Sequence, residues 1–249
     1  MLTWLLLAVA SFSFSKEKNR QLDIVFIGDS ITYGAGVPGR EYNAPPAAAC
    51  RYLEKNKALT VRFSNQGRSG FTTVDYLPAT RKAFQQVTEA ARALHKDAGN
   101  TLLFSIMLGT NDSAEEGPNG APVSPDNYRL NLHTIIDSLL AAFPNSKIIL
   151  QYPTWYSTNT YNGARYLAAG LQRLQLYFPQ IQALVKQYAV VKPGHVFPGD
   201  TKAFDYFKQH YSTALQAENG RMGTFYLHPN ESGAAVLGEY WARAIARVL

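Results

Sequence analysis

The sequence predicts an α/β domain: a mainly parallel, five-stranded sheet with helices on both faces, forming a three-layer α/β/α sandwich. Two observations lead there. Short apolar, β-branched runs alternate with longer segments of helical periodicity, the pattern of parallel strands joined by crossover helices. The 249 residues also contain no internal repeat, low-complexity tract or linker. A chain of this length can bury a substantial core in one domain, taken here as residues 16–249.

The elements follow in order. "LDIVFIG" (22–28), "TVRFSNQG" (60–67), "TLLFSIMLG" (101–109) and "KIILQY" (147–152) read as strands, and "YAVVKPG" (188–194) as a weaker fifth. Between the third and fourth, Tyr128, Leu132, Ile135, Ile136, Leu139, Leu140 and Phe143 fall on one helical face, and "SPD" at 124–126 supplies a cap and a first-turn proline. Leu167, Leu171, Leu174, Phe178, Ile181, Val185 and Tyr188 form a second stripe, which Pro179 is expected to kink or split. A last helix is expected from about Glu231, with Val236, Leu237, Tyr240, Trp241, Ile245 and Val248 inward. Stripes of this kind are the core-facing sides of helices.

Composition narrows the function classes. The first fifteen residues, "MLTWLLLAVASFSFS", read as a signal peptide for export to the periplasm or outside the cell, with "AVA" at 8–10 as a cleavage signal, although no basic residue precedes the apolar run. Nothing later in the sequence is long and apolar enough to span a membrane. No cysteine lies near this segment, which argues against a lipid anchor. Cys50 is the single cysteine, so there is neither an internal disulfide nor a thiolate metal cluster, and it reads as a small core residue of a helix. The net charge is +6, with three basic residues concentrated in 16–20 and the rest scattered, so nucleic acid is not an expected partner. His95, His133, His195 and His210 have no spacing that suggests zinc, and no metal or other cofactor is expected.

In an open α/β sheet, ligands bind beyond the carboxyl ends of the strands. "GDSITYGAG" (28–36), "NQGRSG" (65–70) and "GTNDS" (109–113) follow the first three strands, and "FYLHPN" (225–230) precedes the last helix. Together these supply the parts of acyl transfer. Ser30 is a candidate nucleophile at a strand end, and His228 a candidate base. The N–H groups of Ser30 and Gly67 and the Asn111 side-chain amide are candidate oxyanion donors. Each piece alone carries little. The weight lies in four pieces in order, three of them at one sheet edge.

These blocks resemble those of the SGNH/GDSL hydrolases: "GDSIT" with Ser30, "NQGRSG" with Gly67, "GTND" with Asn111 and "LHPN" with His228. The resemblance spans about residues 24–249. It implies a flavodoxin-like sandwich and a metal-free esterase, deacetylase or lipase. Asp29 and Asp112 also match and are read as braces for their loops.

One position departs from the family pattern. Phe225 stands three residues before His228, where the family usually has an aspartate. Such an acid orients the histidine and stabilises its cation. Three possibilities follow. A backbone carbonyl accepts the His228 Nδ1–H, which is the favoured reading; a carboxylate from Glu218, Asp200 or Asp205 fills the role; or the chain is a non-catalytic relative that binds acylated glycans. The retained nucleophile, donors and base favour a working enzyme.

The loop "YPTWYSTNTYNG" (152–163) places aromatic residues among hydroxyls and amides. Trp155 and Tyr156 are therefore candidate sugar contacts, against the alternative that they anchor a long loop. The expected substrate is an O-acetylated carbohydrate or other small ester. A lysophospholipase or thioesterase is the rival enzyme.

Overall fold

The computed structural model describes residues 21–57 and 59–249. The export signal expected over residues 1–15 lies outside the described residues.

The main sheet contains β1 (Gln21–Gly28), β2 (Thr60–Gly67), β3 (Thr101–Met107), β4 (Lys147–Leu150) and β5 (Val196–Pro198), in the order β2-β1-β3-β4-β5. Every neighbouring pair is parallel. The period-2 alternation of β1 divides the core. Leu22, Ile24 and Phe26 face one layer, built with Cys50 and Leu53 of α3 (Pro45–Lys57), Phe207 of α7 (Ala203–Ala214), and Leu237, Trp241 and Ile245 of α8 (Glu231–Ala246). Val25 and Ile27 face the other, built with Val87 of α4 (Phe84–Leu94), Leu132 and Ile136 of α5 (Pro125–Ala142), and Ile181 and Leu184 of α6 (Leu167–Val191). Two short helices, α1 (Ser30–Tyr33) and α2 (Arg40–Asn43), follow β1. No helix among the described residues is long and apolar enough to cross a membrane.

Two local expectations are corrected. Residues 188–191 are the end of α6, and the fifth strand lies further on, at Val196–Pro198. The apolar run at 188–191 satisfies either period, and continuity with the preceding helix decides it. Nor does Pro179 split α6, which runs unbroken to Val191. Pro179 and Gln175, the residue whose carbonyl loses its partner, are both exposed, so water can replace the missing bond.

A separate antiparallel ribbon joins β6 (Glu218–Gly220) to β7 (Gly223–Phe225), with Glu218 paired to Phe225. It is knitted to the long β4–α6 connection. Ser157 N donates to the Tyr226 carbonyl at 2.9 Å, and Tyr226 N to Ser157 Oγ at 2.9 Å. Asn159 Nδ2 reaches the Thr224 carbonyl at 3.0 Å, Met222 N reaches Thr160 Oγ1 at 2.8 Å, and Arg221 N reaches the Tyr161 carbonyl at 2.8 Å.

Candidate active site

The carboxyl ends of β1, β2 and β3 converge on one point. Gly28 lies level with Gly67 and with Met107 in the parallel ladders. The Tyr76 hydroxyl lies 2.7 Å from the Gly28 carbonyl and 2.6 Å from that of Gln66, tying the first two ends together. Beyond Gly28 the chain stays extended through Asp29, whose carboxylate caps Ile31 N at 2.9 Å, and Ser30 begins α1. This turn puts the Ser30 hydroxyl above the sheet edge. It also leaves the first N–H of α1 without an intrahelical acceptor.

Asn230 caps α8, accepting from Gly233 N at 3.0 Å, and this anchors the segment that carries His228. His228 Nε2 stands 2.8 Å from Ser30 Oγ. Its Nδ1 stands 2.8 Å from Glu218 Oε1, which also accepts the His228 backbone N–H at 3.1 Å. Glu218 Oε2 accepts from Asn162 Nδ2 at 3.1 Å. The favoured expectation of a backbone carbonyl at Nδ1 is therefore corrected: a carboxylate occupies the place. The reason is the hairpin register. Glu218 lies directly across the ribbon from Phe225, so the acid sits on the facing strand instead of three residues before the histidine.

Burial acts to raise the Glu218 pKa. The His228 ring and backbone N–H and the Asn162 amide outweigh it, and the carboxylate is held below its ordinary range. Asp200 and Asp205 are elsewhere: Asp200 caps α7, accepting from Lys202 N at 3.0 Å and Ala203 N at 2.7 Å, and Asp205 is exposed on that helix.

Gly67 is also corrected. It is the last residue of β2, and its N–H donates to Asn65 Oδ1 at 2.9 Å. A Cβ there would stand 2.4 Å from Tyr33 N, so the glycine lets α1 pack against β2. Of the two glycines in this hexapeptide, the one that lines the cavity with Ser30 is Gly70, three residues on. Its φ is +80°, nothing lies within 4 Å of the Cβ position, and its N–H has no acceptor among the described residues. Asn111 lines the same cavity. Its Nδ2 donates to the Phe71 carbonyl at 3.0 Å, and its Oδ1 accepts from the Tyr166 hydroxyl at 2.8 Å.

Asp29 and Asp112 lie beneath these loops, fully buried. Asp112 accepts from Thr73 N at 2.9 Å and from the Thr73 hydroxyl, joining the loops after β2 and β3. Burial pushes the Asp29 carboxyl up to about 6 and the Asp112 carboxyl up to about 7.

The cavity is open and holds about 690 Å³. Its walls are amide-, hydroxyl- and charge-bearing (Ser69, Asp75, Lys82, Asn119, Asn162), interspersed with small residues (Ala35, Gly117, Gly163, Ala164) and with Phe71, Tyr166 and Leu227. Trp155 and Tyr156, the expected sugar contacts, are not among them. Tyr156 is fully buried, with its hydroxyl 2.9 Å from Ser113 Oγ, and Trp155 packs on Tyr211 at a ring distance of 5.6 Å. The aromatics of this loop anchor it to the domain. The sequence reading missed Asn162, near the end of that loop, and Tyr166, three residues beyond it.

A parallel sandwich with a serine, histidine and carboxylate strung across its sheet edge defines a class of hydrolase-like folds. The model of the GDSL-like lipase/acylhydrolase family matches residues 26–236, and the chain belongs to that family. Solved structures show the same fold. Est24, a carbohydrate acetylesterase from Sinorhizobium meliloti, is 17% identical, with a TM-score of 0.60 over 91% of this chain and 99% of its own. Axe2, an acetylxylan esterase from Geobacillus stearothermophilus, is 22% identical, with a TM-score of 0.59 over 91% and 93%. An aryl esterase from M. smegmatis is 17% identical, with a TM-score of 0.60 over 91% and 99%. A search of curated proteins found no match.

Proposed function

We propose that this chain is a serine esterase that removes O-acetyl groups from carbohydrates through an acyl-enzyme. The observation that carries the proposal is the unbroken line Ser30 Oγ–His228 Nε2 at 2.8 Å and His228 Nδ1–Glu218 Oε1 at 2.8 Å. In this reading His228 takes the Ser30 proton as Oγ attacks the ester carbonyl carbon. The N–H groups of Ser30 and Gly70 and the free Nδ2–H of Asn111 receive the oxyanion. The tetrahedral adduct then collapses. His228 Nε2–H protonates the departing sugar oxygen, and water, deprotonated by the same nitrogen, releases acetate. Glu218 holds the Nδ1–H tautomer and stabilises the imidazolium in both halves.

The cavity supports the substrate class. Carboxamides, hydroxyls and a lysine around an open mouth suit sugar hydroxyls, and the small residues that line the cavity together with Ser30 leave room for a short acyl group. Carbohydrate acetylesterases among the structural neighbours support the same reading. Export, as the first fifteen residues suggest, is part of the proposal, since acetylated polysaccharides lie outside the cytoplasm.

The test is p-nitrophenyl acetate hydrolysis by the wild type and Ser30→Ala, followed by acetate release from acetylated oligosaccharides. Activity that vanishes with Ser30 and favours acetylated sugars over long-chain esters is expected. Equal, negligible rates, with no labelling of Ser30 by a serine-directed phosphonate, would leave a glycan-binding protein instead. A preference for long acyl chains would point to a lysophospholipase or thioesterase.

A further inference from the structure

We infer that Tyr166 is a positioning residue for the oxyanion hole, a role that rests on the esterase reading above. Asn111 can present its amide in two orientations, and only one aims an N–H into the cavity. The Phe71 carbonyl can only accept, so it selects Nδ2 as its partner at 3.0 Å. The Tyr166 hydroxyl, 2.8 Å away on the other side, must then donate to Oδ1. With both ends of the amide held, the second Nδ2–H is directed to the space above Ser30. Burial pushes the Tyr166 phenol well above its ordinary range, so this hydroxyl remains a donor at every working pH.

The surroundings hold Tyr166 firmly. Its ring stacks on Phe225 at 5.9 Å and 15°, and packs against Tyr156 at 5.0 Å. Phe225 stands where the family usually has an acid, so here that position supports the residue that holds an oxyanion donor. The backbone beside Tyr166 is also unusual. Leu167 has a φ of +49°, the left-handed region that a leucine rarely enters. Local strain next to a buried tyrosine that touches a cavity residue is what a functional constraint on its direction produces.

Tyr166→Phe removes the hydroxyl and keeps the stack on Phe225. It should lower kcat on p-nitrophenyl acetate about tenfold, since one neutral hydrogen bond that orients the donor is lost. KM should stay within twofold. The decisive comparison is a double-mutant cycle with Asn111→Ala, in which the effect of Tyr166→Phe should disappear because nothing remains to orient. A wild-type kcat in Tyr166→Phe would overturn the inference. So would an equal loss in the presence and absence of the Asn111 amide, which marks a general packing effect. Wild-type turnover that depends on Ser30, measured alongside, keeps a failure here separate from failure of the esterase reading.

Discussion

Glu218→Gln is the perturbation that most directly probes the relocated acid. The two side chains have the same shape, and a glutamine oxygen can still accept the Nδ1–H of His228 at 2.8 Å and the backbone N–H at 3.1 Å. What disappears is the negative charge. With the charge centres about 4 Å apart and an effective dielectric of about 20, that charge stabilises the imidazolium by about 4 kcal/mol. At 1.36 kcal/mol per factor of ten, kcat should fall about a thousandfold. The new amide nitrogen also meets the Asn162 Nδ2 donor, which must turn its Oδ1 towards it. KM should stay within a few-fold, since a turned Asn162 amide is the change at the cavity wall, and the urea midpoint should change little, since the core is unaltered. The assay is kcat and KM on p-nitrophenyl acetate, with urea unfolding of the same samples, beside Asp200→Ala and Asp205→Ala, which should stay near wild type. If Glu218→Gln keeps kcat within tenfold of wild type, the carboxylate is not an essential partner of His228.

Other variants test neighbouring parts. Gly67→Ala drives a methyl into the backbone of α1, 2.4 Å from Tyr33 N, and should destabilise the fold by about 1–3 kcal/mol. Gly70→Ala meets no atom and faces only the left-handed backbone cost of about 1–2 kcal/mol, so kcat should fall out of proportion to its modest loss of stability. Thermal melts with parallel kinetics separate the two, and a kcat defect confined to Gly67→Ala would restore Gly67 as the donor. Asp112 makes stability pH-dependent. Its folded pKa, raised by burial to about 7, exceeds the unfolded value of about 3.9, so its contribution is fully present below about pH 4 and is lost as pH rises to about 7. Asp112→Asn removes that charge, and its stability relative to wild type should improve by about 2 kcal/mol or more between pH 5 and pH 8. Parallel urea curves at both pH values would refute this account of Asp112.

The parts of this molecule legible in the sequence are those set by short-range pattern. β2 reads correctly from its apolar spacing, as does α5 from Ser124 and Pro125. Ser30 and His228 stand out because each sits beside an element boundary with its own signal, a strand end for one and the Asn230 cap for the other. Gly67 and Gly70 share one hexapeptide, and choosing between them required knowing where the strand stops. The parallel register ends β2 at Gly67, so only residues beyond it reach the cavity. Glu218 is one of three carboxylates the sequence offers for His228, and distance along the chain leaves the choice among them open, although "ENGRMGTF" carries turn glycines that signal a hairpin and so bring Glu218 towards Phe225. Trp155 and Tyr156 misled for a different reason. An aromatic residue in a loop has the same appearance in sequence whether it faces a ligand or the core, and here the core takes both.

The β6–β7 ribbon belongs to neither core layer through its backbone ladder. Its hydrogen bonds run to a connecting loop and Phe225 is its one fully buried side chain, so it has fewer core contacts to lose than the five-stranded sheet. When it lifts, Glu218 leaves His228, and the Phe225 face that steadies Tyr166 leaves with it. The charge behind His228 is then lost and the hold on Asn111 weakened in a single event, while the strands and the Ser30 turn stay in place. The form so opened would be silent yet still folded. Mild denaturant should extinguish turnover while the circular dichroism of the helices is intact, and amide exchange should be fastest along residues 157–162 and 218–226.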